Sequence, residues 1–124
     1  MDASERRALL ERAYRLFNAR EVDALLVMMT DDVEWPDVVN RARLSGHDVI
    51  RRYWQAQFAV ADPRVKPSDF IEVGDDLVAV VEQRVLDLEG EPLEAPSIVF
   101  HRYTFRGDLV ARMVVFTDRE EALG

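Results

Sequence analysis

Apolar residues recur every three or four positions through the first half of the chain and every second position through the second half. That change of period predicts helices followed by strands. Leu9, Ala13, Leu16 and Phe17 line one side of a segment from Asp2 to Asn18, with arginines on the other, and Val22, Leu25, Leu26 and Met29 repeat the spacing over a shorter stretch. Two amphipathic helices are predicted there. After Thr30-Asp31-Asp32, Val33-Glu34-Trp35 forms a short strand closed by Pro36-Asp37. A third helix opens at Ser45-Gly46-His47-Asp48, a Ser-x-x-Asp capping signal, and carries Ile50, Tyr53, Trp54, Gln57, Phe58 and Ala61 on one face until Asp62-Pro63 ends it.

Beyond Pro63 the chain reads as sheet. Phe70–Val73 is followed by the turn Gly74-Asp75-Asp76, a long strand Leu77–Leu88, the turn Glu89-Gly90-Glu91-Pro92, a strand Ser97–Phe105, the turn Arg106-Gly107-Asp108 and a last strand Leu109–Thr117. Consecutive hairpins of this kind make an antiparallel meander. The expected fold is α+β: a cone-shaped, curled antiparallel or mixed sheet wrapped around three N-terminal helices, in one domain over residues 1–124. A cone walled by sheet on one side and helices on the other has a natural cavity at its wide end. The exterior row Ile98, Phe100, Arg102 and Thr104, with Val81, Gln83 and Val85, is too apolar to be wholly solvated, which predicts an isologous homodimer through the sheets.

Composition narrows the chemistry. At 124 residues with 48% hydrophobic and 32% charged positions the chain has the make-up of a globular protein, and no apolar run approaches a membrane span. MDASERRALLER alternates charge with apolar groups where a secretory signal needs a continuous apolar stretch, so the expected location is the cytoplasm. Zero cysteines exclude disulfides, thiolate metal sites and a cysteine nucleophile. The net charge of −8, without a basic cluster larger than a pair, argues against a nucleic-acid partner. Two histidines, His47 and His101, 54 positions apart, give no metal-ligand spacing. No nucleophile elbow, P-loop or Rossmann turn is present. What remains is acid–base chemistry without a cofactor, or ligand binding.

The order of elements, with Asn18-Ala19, Asp23, Met28–Asp37, Ser45-Gly46, Ile50–Trp54, Tyr103-Thr104-Phe105 and Met113–Asp118, resembles the nuclear transport factor 2-like superfamily, in particular its SnoaL-like and ketosteroid-isomerase-like members. The resemblance implies a general-base aspartate shortly after the first strand, and gap-free counting from Asn18-Ala19 puts Asp37 there. The oxyanion-binding tyrosine of the first helix falls on Ala13, with Tyr14 one residue and about 100° away, and the oxyanion-binding acid falls on His101.

Asp37, His101 and Tyr53 are therefore the candidate catalytic residues. A carboxylate at the mouth of an apolar cavity becomes a better base, and an imidazole can stabilise or protonate an oxyanion. The alternative for Asp37 is an Asx turn with its own backbone. Trp35, Trp54, Phe58, Tyr103, Phe105, Val114 and Phe116 are expected to line the pocket. So are Glu82 and Arg84, as an internal ion pair if their face of the long strand turns inward, and Arg112, paired with Asp37 or Glu82. Three readings follow: a cofactor-independent isomerase, cyclase or hydratase acting on a small apolar molecule; a non-catalytic binding or dimerisation module; and epoxide hydrolysis by Asp37, Glu82 and Arg84 around one water.

Overall fold

The computed structural model describes residues 1–124. Helix α1 (Ala3–Asn18) begins at a capping box in which the Asp2 carboxylate accepts from the Glu5 amide and Glu5 reaches back to Asp2. Its buried residues are Leu10 and Tyr14, four positions apart on one face. A tight corner at Arg20, in the left-handed region, leads to α2 (Val22–Val27). Arg20 secures that corner by donating to the Phe17 and Pro63 carbonyls and to the Asp62 carboxylate. Asn18 adds a two-way clasp on Val65, donating to its carbonyl at 2.7 Å and accepting from its amide at 3.0 Å. The helical layer is thus tied to the sheet by side chains placed at the end of α1.

Strand β1 (Met29–Asp37) is longer than the expected three residues and continues through a hairpin into β2 (Ala42–Ser45), which the sequence pattern does not reveal. Helix α3 (His47–Val60) starts at Gly46, whose φ of +91° is the left-handed conformation that glycine adopts freely. The expected Ser-x-x-Asp cap does not form: no side chain caps this helix, and the Gly46 amide is satisfied by the Val33 carbonyl.

Strand β3 (Asp62–Val73) begins directly at the end of α3, well before Phe70. It is an edge strand, which is why Pro63 and Pro67 are tolerated in it. Strands β4 (Asp76–Leu86), β5 (Ser97–Arg106) and β6 (Leu109–Phe116) follow as the predicted meander. The six strands lie in the order β2-β1-β6-β5-β4-β3, all antiparallel except β1 beside β6. A short helix α4 (Arg119–Leu123) ends the chain, its first turn capped by Asp118.

The core lies between the helices and the concave face. Leu10, Tyr14, Leu26, Ile50 and Trp54 meet Val33, Leu77, Ala79, Val81, Tyr103 and Met113. A second, smaller cluster of Val78, Phe100 and Ala122 lies on the other face, with Phe116 and Leu123 packed against it. Helix α4 therefore covers part of the apolar convex row within the same chain. Arg102 holds it there, pairing with Asp76 at 2.8 Å and donating to the Ala122 and Gly124 carbonyls.

This settles the parity of the strands and corrects several expectations. Val81 faces the helices, with Gln83 continuing its row half-buried, whereas Val78 and Val80 belong to the convex side. Glu82 and Arg84 alternate with the buried row, are exposed and form no ion pair with each other. Arg112 is also exposed and lies 4.0 Å from Glu34, its neighbour across β1–β6, so neither Asp37 nor Glu82 partners it. Phe116 packs under α4, and Val114 shares its side of β6, while Met113 and Val115 take the concave positions expected of them.

Candidate functional site

Two elements bring together a buried polar cluster. Tyr14 projects from α1, and His101 and Tyr103 project from alternate positions of β5, so both strand residues point to the helices. The Tyr103 hydroxyl donates to the Tyr14 hydroxyl at 2.8 Å, and Tyr14 Oη lies 2.8 Å from His101 Nδ1. The rings of Tyr14 and His101 stack with centroids 5.9 Å apart, and Tyr103 meets both edge-on. All three side chains are buried, with exposures of 4 to 7%.

Burial sets their protonation. Desolvation disfavours the imidazolium and lowers the His101 pKa from 6.5 to about 4, so at neutral pH the ring carries no charge. Desolvation raises the pKa of both phenols, and Tyr14 is raised further by the phenolate charge and hydrogen bond of Tyr103. When the Tyr14 proton goes to Nδ1, the histidine proton resides on Nε2. Within the chain Nε2 has no hydrogen-bond partner. In that tautomer the cluster presents one N–H donor backed by two phenols.

Asp37 lies at the end of β1, on the same side as Val33 and Trp35, and is 7% exposed. At this end β1 pairs with β2, Asp37 standing opposite Ala42, and strand β6 separates β1 from β5, which carries His101. Both carboxylate oxygens are engaged by Asn40: Oδ1 accepts from its backbone amide at 3.1 Å and Oδ2 from its side-chain amide at 2.8 Å. Tyr53 is half-buried nearby, its pKa raised first by desolvation and then by the Asp37 charge. Trp35 packs against the core, its ring 5.4 Å from that of Trp54 and 6.5 Å from that of Tyr103.

Of the expected pocket residues, Trp54 is a core residue at 1% exposure, packed edge-on against Phe17 and Trp35. Phe58 is half-buried under the Arg20 guanidinium, 4.2 Å from its carbon to the ring centre. Phe105 packs against the core with Arg6 over its ring. His47 is half-buried and bonds the Met29 carbonyl at 3.2 Å. A cleft of about 690 Å³ runs between α1 and the β3–β4 hairpin. It is bordered by Tyr14, Glu82 and Arg84, but not by Asp37 or His101. The triad of Asp37, Glu82 and Arg84 around one water does not form, because the first is buried at one end of β1 and the others are exposed on β4.

Sequence counting misses the role of Tyr14. It was visible in the spacing Leu10, Tyr14, Phe17, which places the phenol on the buried side of α1. Asn40 carries no comparable signal.

Residues 10–113 match the model of the SnoaL-like domain. The chain belongs to the SnoaL-like domain family. None of the curated proteins matches it. This SnoaL-like chain is similar to TerC, solved co-crystallised with polyporic acid, at 26% identity over 94% of each chain with a TM-score of 0.78. An NTF2-like protein of unknown function from Burkholderia pseudomallei aligns over 98% of this chain and 95% of its own, at 22% identity and a TM-score of 0.80. SalBIII, an epoxide hydrolase/cyclase-like enzyme of pyran ring formation in salinomycin, aligns over 96% and 95% at 16% identity and a TM-score of 0.77. The last two likenesses establish the fold of the SnoaL-like chain, a curled and unclosed six-stranded sheet with N-terminal helices. No helix in it is long and apolar enough to cross a membrane.

Proposed function

We propose that this SnoaL-like protein is an acid–base enzyme of isomerase or cyclase type that works without a cofactor on a small carbonyl compound. The observation that carries the reading is the buried chain Tyr103–Tyr14–His101, whose Nε2 has no partner within the chain and is a donor in the tautomer that accepts from Tyr14 at Nδ1. A donor held by two further hydrogen bonds in a desolvated site stabilises a developing enolate or alkoxide without reorganising, the largest contribution in many enzymes of this chemistry. Because His101 is neutral near pH 7, it acts as a hydrogen-bond donor rather than as a cation or a ready acid. Asp37, on the same concave side, is the general base, and Tyr53 assists beside it.

The test is turnover of a panel of enolisable ketones and polyketide-like carbonyl compounds. Asp37→Asn is expected to lower kcat at least about a hundredfold, the usual contribution of a positioned base. His101→Phe is expected to do the same through loss of oxyanion stabilisation, about 10²-fold or more. Equal rates for wild type and Asp37→Asn remove the base assignment.

A second reading, a non-catalytic binding protein, draws on the two Asn40 contacts that satisfy the Asp37 carboxylate as an extended Asx turn. It expects apolar carbonyl compounds to raise the melting temperature with no turnover in any of them. In either case we propose an isologous dimer through the convex sheet, where Ile98 remains 51% exposed beside the patch that α4 covers. A monomer by light scattering at micromolar concentration removes it.

A further inference from the structure

We propose that Asn40 is the positioning residue of the Asp37 base: from the exposed turn between β1 and β2 it supplies every hydrogen bond that holds the carboxylate and so sets its aim. The inference rests on the acid–base reading of the site. A carboxylate that is 7% exposed has lost most of its water and needs donors or a cation in its place. No cationic side chain of the chain pairs with Asp37. Tyr53, whose pKa is raised first by burial and then by the Asp37 charge, gives it no hydrogen bond. Both donors come from Asn40, its backbone amide on Oδ1 and its side-chain amide on Oδ2.

The local chain explains how one residue reaches both oxygens. Residues 38–41 connect β1 to β2, the Arg41 amide donates to the Val38 carbonyl at 3.3 Å, and Arg41 lies in the left-handed region with a φ of +52°. This turn folds Asn40 back onto the acid three positions before it. Val38 and Val39 are exposed, so apolar packing does little to hold the turn.

The contacts leave a working base. Each carboxylate oxygen has two lone-pair sites, and Asn40 takes one on each, so one site on each oxygen remains for a proton. The two bonds differ in what they require of position 40. Any residue but proline keeps the amide on Oδ1, whereas the bond to Oδ2 needs a side-chain donor of the right length. Without it the carboxylate is free to turn about its Cβ–Cγ bond, and a misplacement of about 1 Å costs on the order of a hundredfold in rate.

The experiment measures Asn40→Ala, Asn40→Asp and Val39→Ser against wild type on the carbonyl panel, with folding checked by circular dichroism, and follows the Asn40 side-chain amide by NMR. Asn40→Ala should lower kcat about tenfold or more while KM stays within about threefold, because aim is lost and binding is not. Asn40→Asp keeps the shape but sets a second carboxylate beside the first, and the two share a proton. Its kcat should fall further at neutral pH and partly recover in mild alkali, a recovery that Asn40→Ala should not show. Val39→Ser, an exposed change in the same turn, should keep the wild-type kcat. The Asn40 side-chain amide signal should move in Asp37→Asn, with or without turnover. Full kcat in both Asn40 variants, an equal loss in Val39→Ser, or an Asn40 amide signal indifferent to Asp37→Asn overturns the positioning role and leaves the base assignment standing. No turnover by wild type, or full turnover by Asp37→Asn, overturns the acid–base reading and this inference with it.

Discussion

His101 couples stability to acidity through burial alone. Above pH 6.5 the ring is neutral folded and unfolded, and it adds nothing to the slope. Between 6.5 and about 4 the unfolded chain takes up a proton that the folded ring refuses, so stability falls as the pH falls, by roughly 3 kcal/mol across the window. Thermal melts of wild type and His101→Gln over that range should diverge, the variant losing less per pH unit. Tyr14→Phe tests the next link. It strips the acceptor from Tyr103 and the donor from Nδ1, leaving two buried groups unpaired, and should cost roughly 1–3 kcal/mol in denaturant unfolding. Tyr103→Phe removes only a donor from Tyr14 and should cost less. Asp37 and His101 were singled out by the positions that the family resemblance gives them, because alternation alone leaves the inward face of β5 open. Their surroundings were not legible, since the off-by-one placement of Tyr14 is decided by the rotation of α1 against β5, which gap-free counting does not follow.

At the scale of elements, periodicity located α1, α2, α3, β4, β5 and β6 within a few residues. It lost the first part of β1, whose Thr-Asp-Asp run imitates a turn, and the first part of β3, where two prolines conceal an edge strand. Strand β2 is four residues and largely exposed, too short for any alternation to show. The inward face of β4 was misread for a physical reason: α4 buries Val78 on the far side while the helices bury Ala79 and Val81 on the near side, so both rows are apolar and alternation carries no sign. That helix depends on Arg102. Arg102→Ala should speed hydrogen exchange at the Ala122 amide, which bonds to Asp118, and lower stability by about 1–3 kcal/mol. Unchanged exchange would mean that apolar packing alone retains α4.

For the molecule as a whole, the long axis of the sheet is completed out of sequence order. Strand β1 has β2 on one side and β6 on the other, and the β6 contact is the single parallel pairing. The Val110 amide closes on the Met28 carbonyl at 3.0 Å across 82 positions of chain. Loop closure of that span must precede any reward from the contact, which places such topologies among the slower folders of their size. A nascent chain halted before Leu109 has every helix that covers the concave face and only the short β2 to pair with its first strand. Asp37 and the Asn40 that holds it would then wait at the open edge of a half-built sheet until β6 joins β1 to β5.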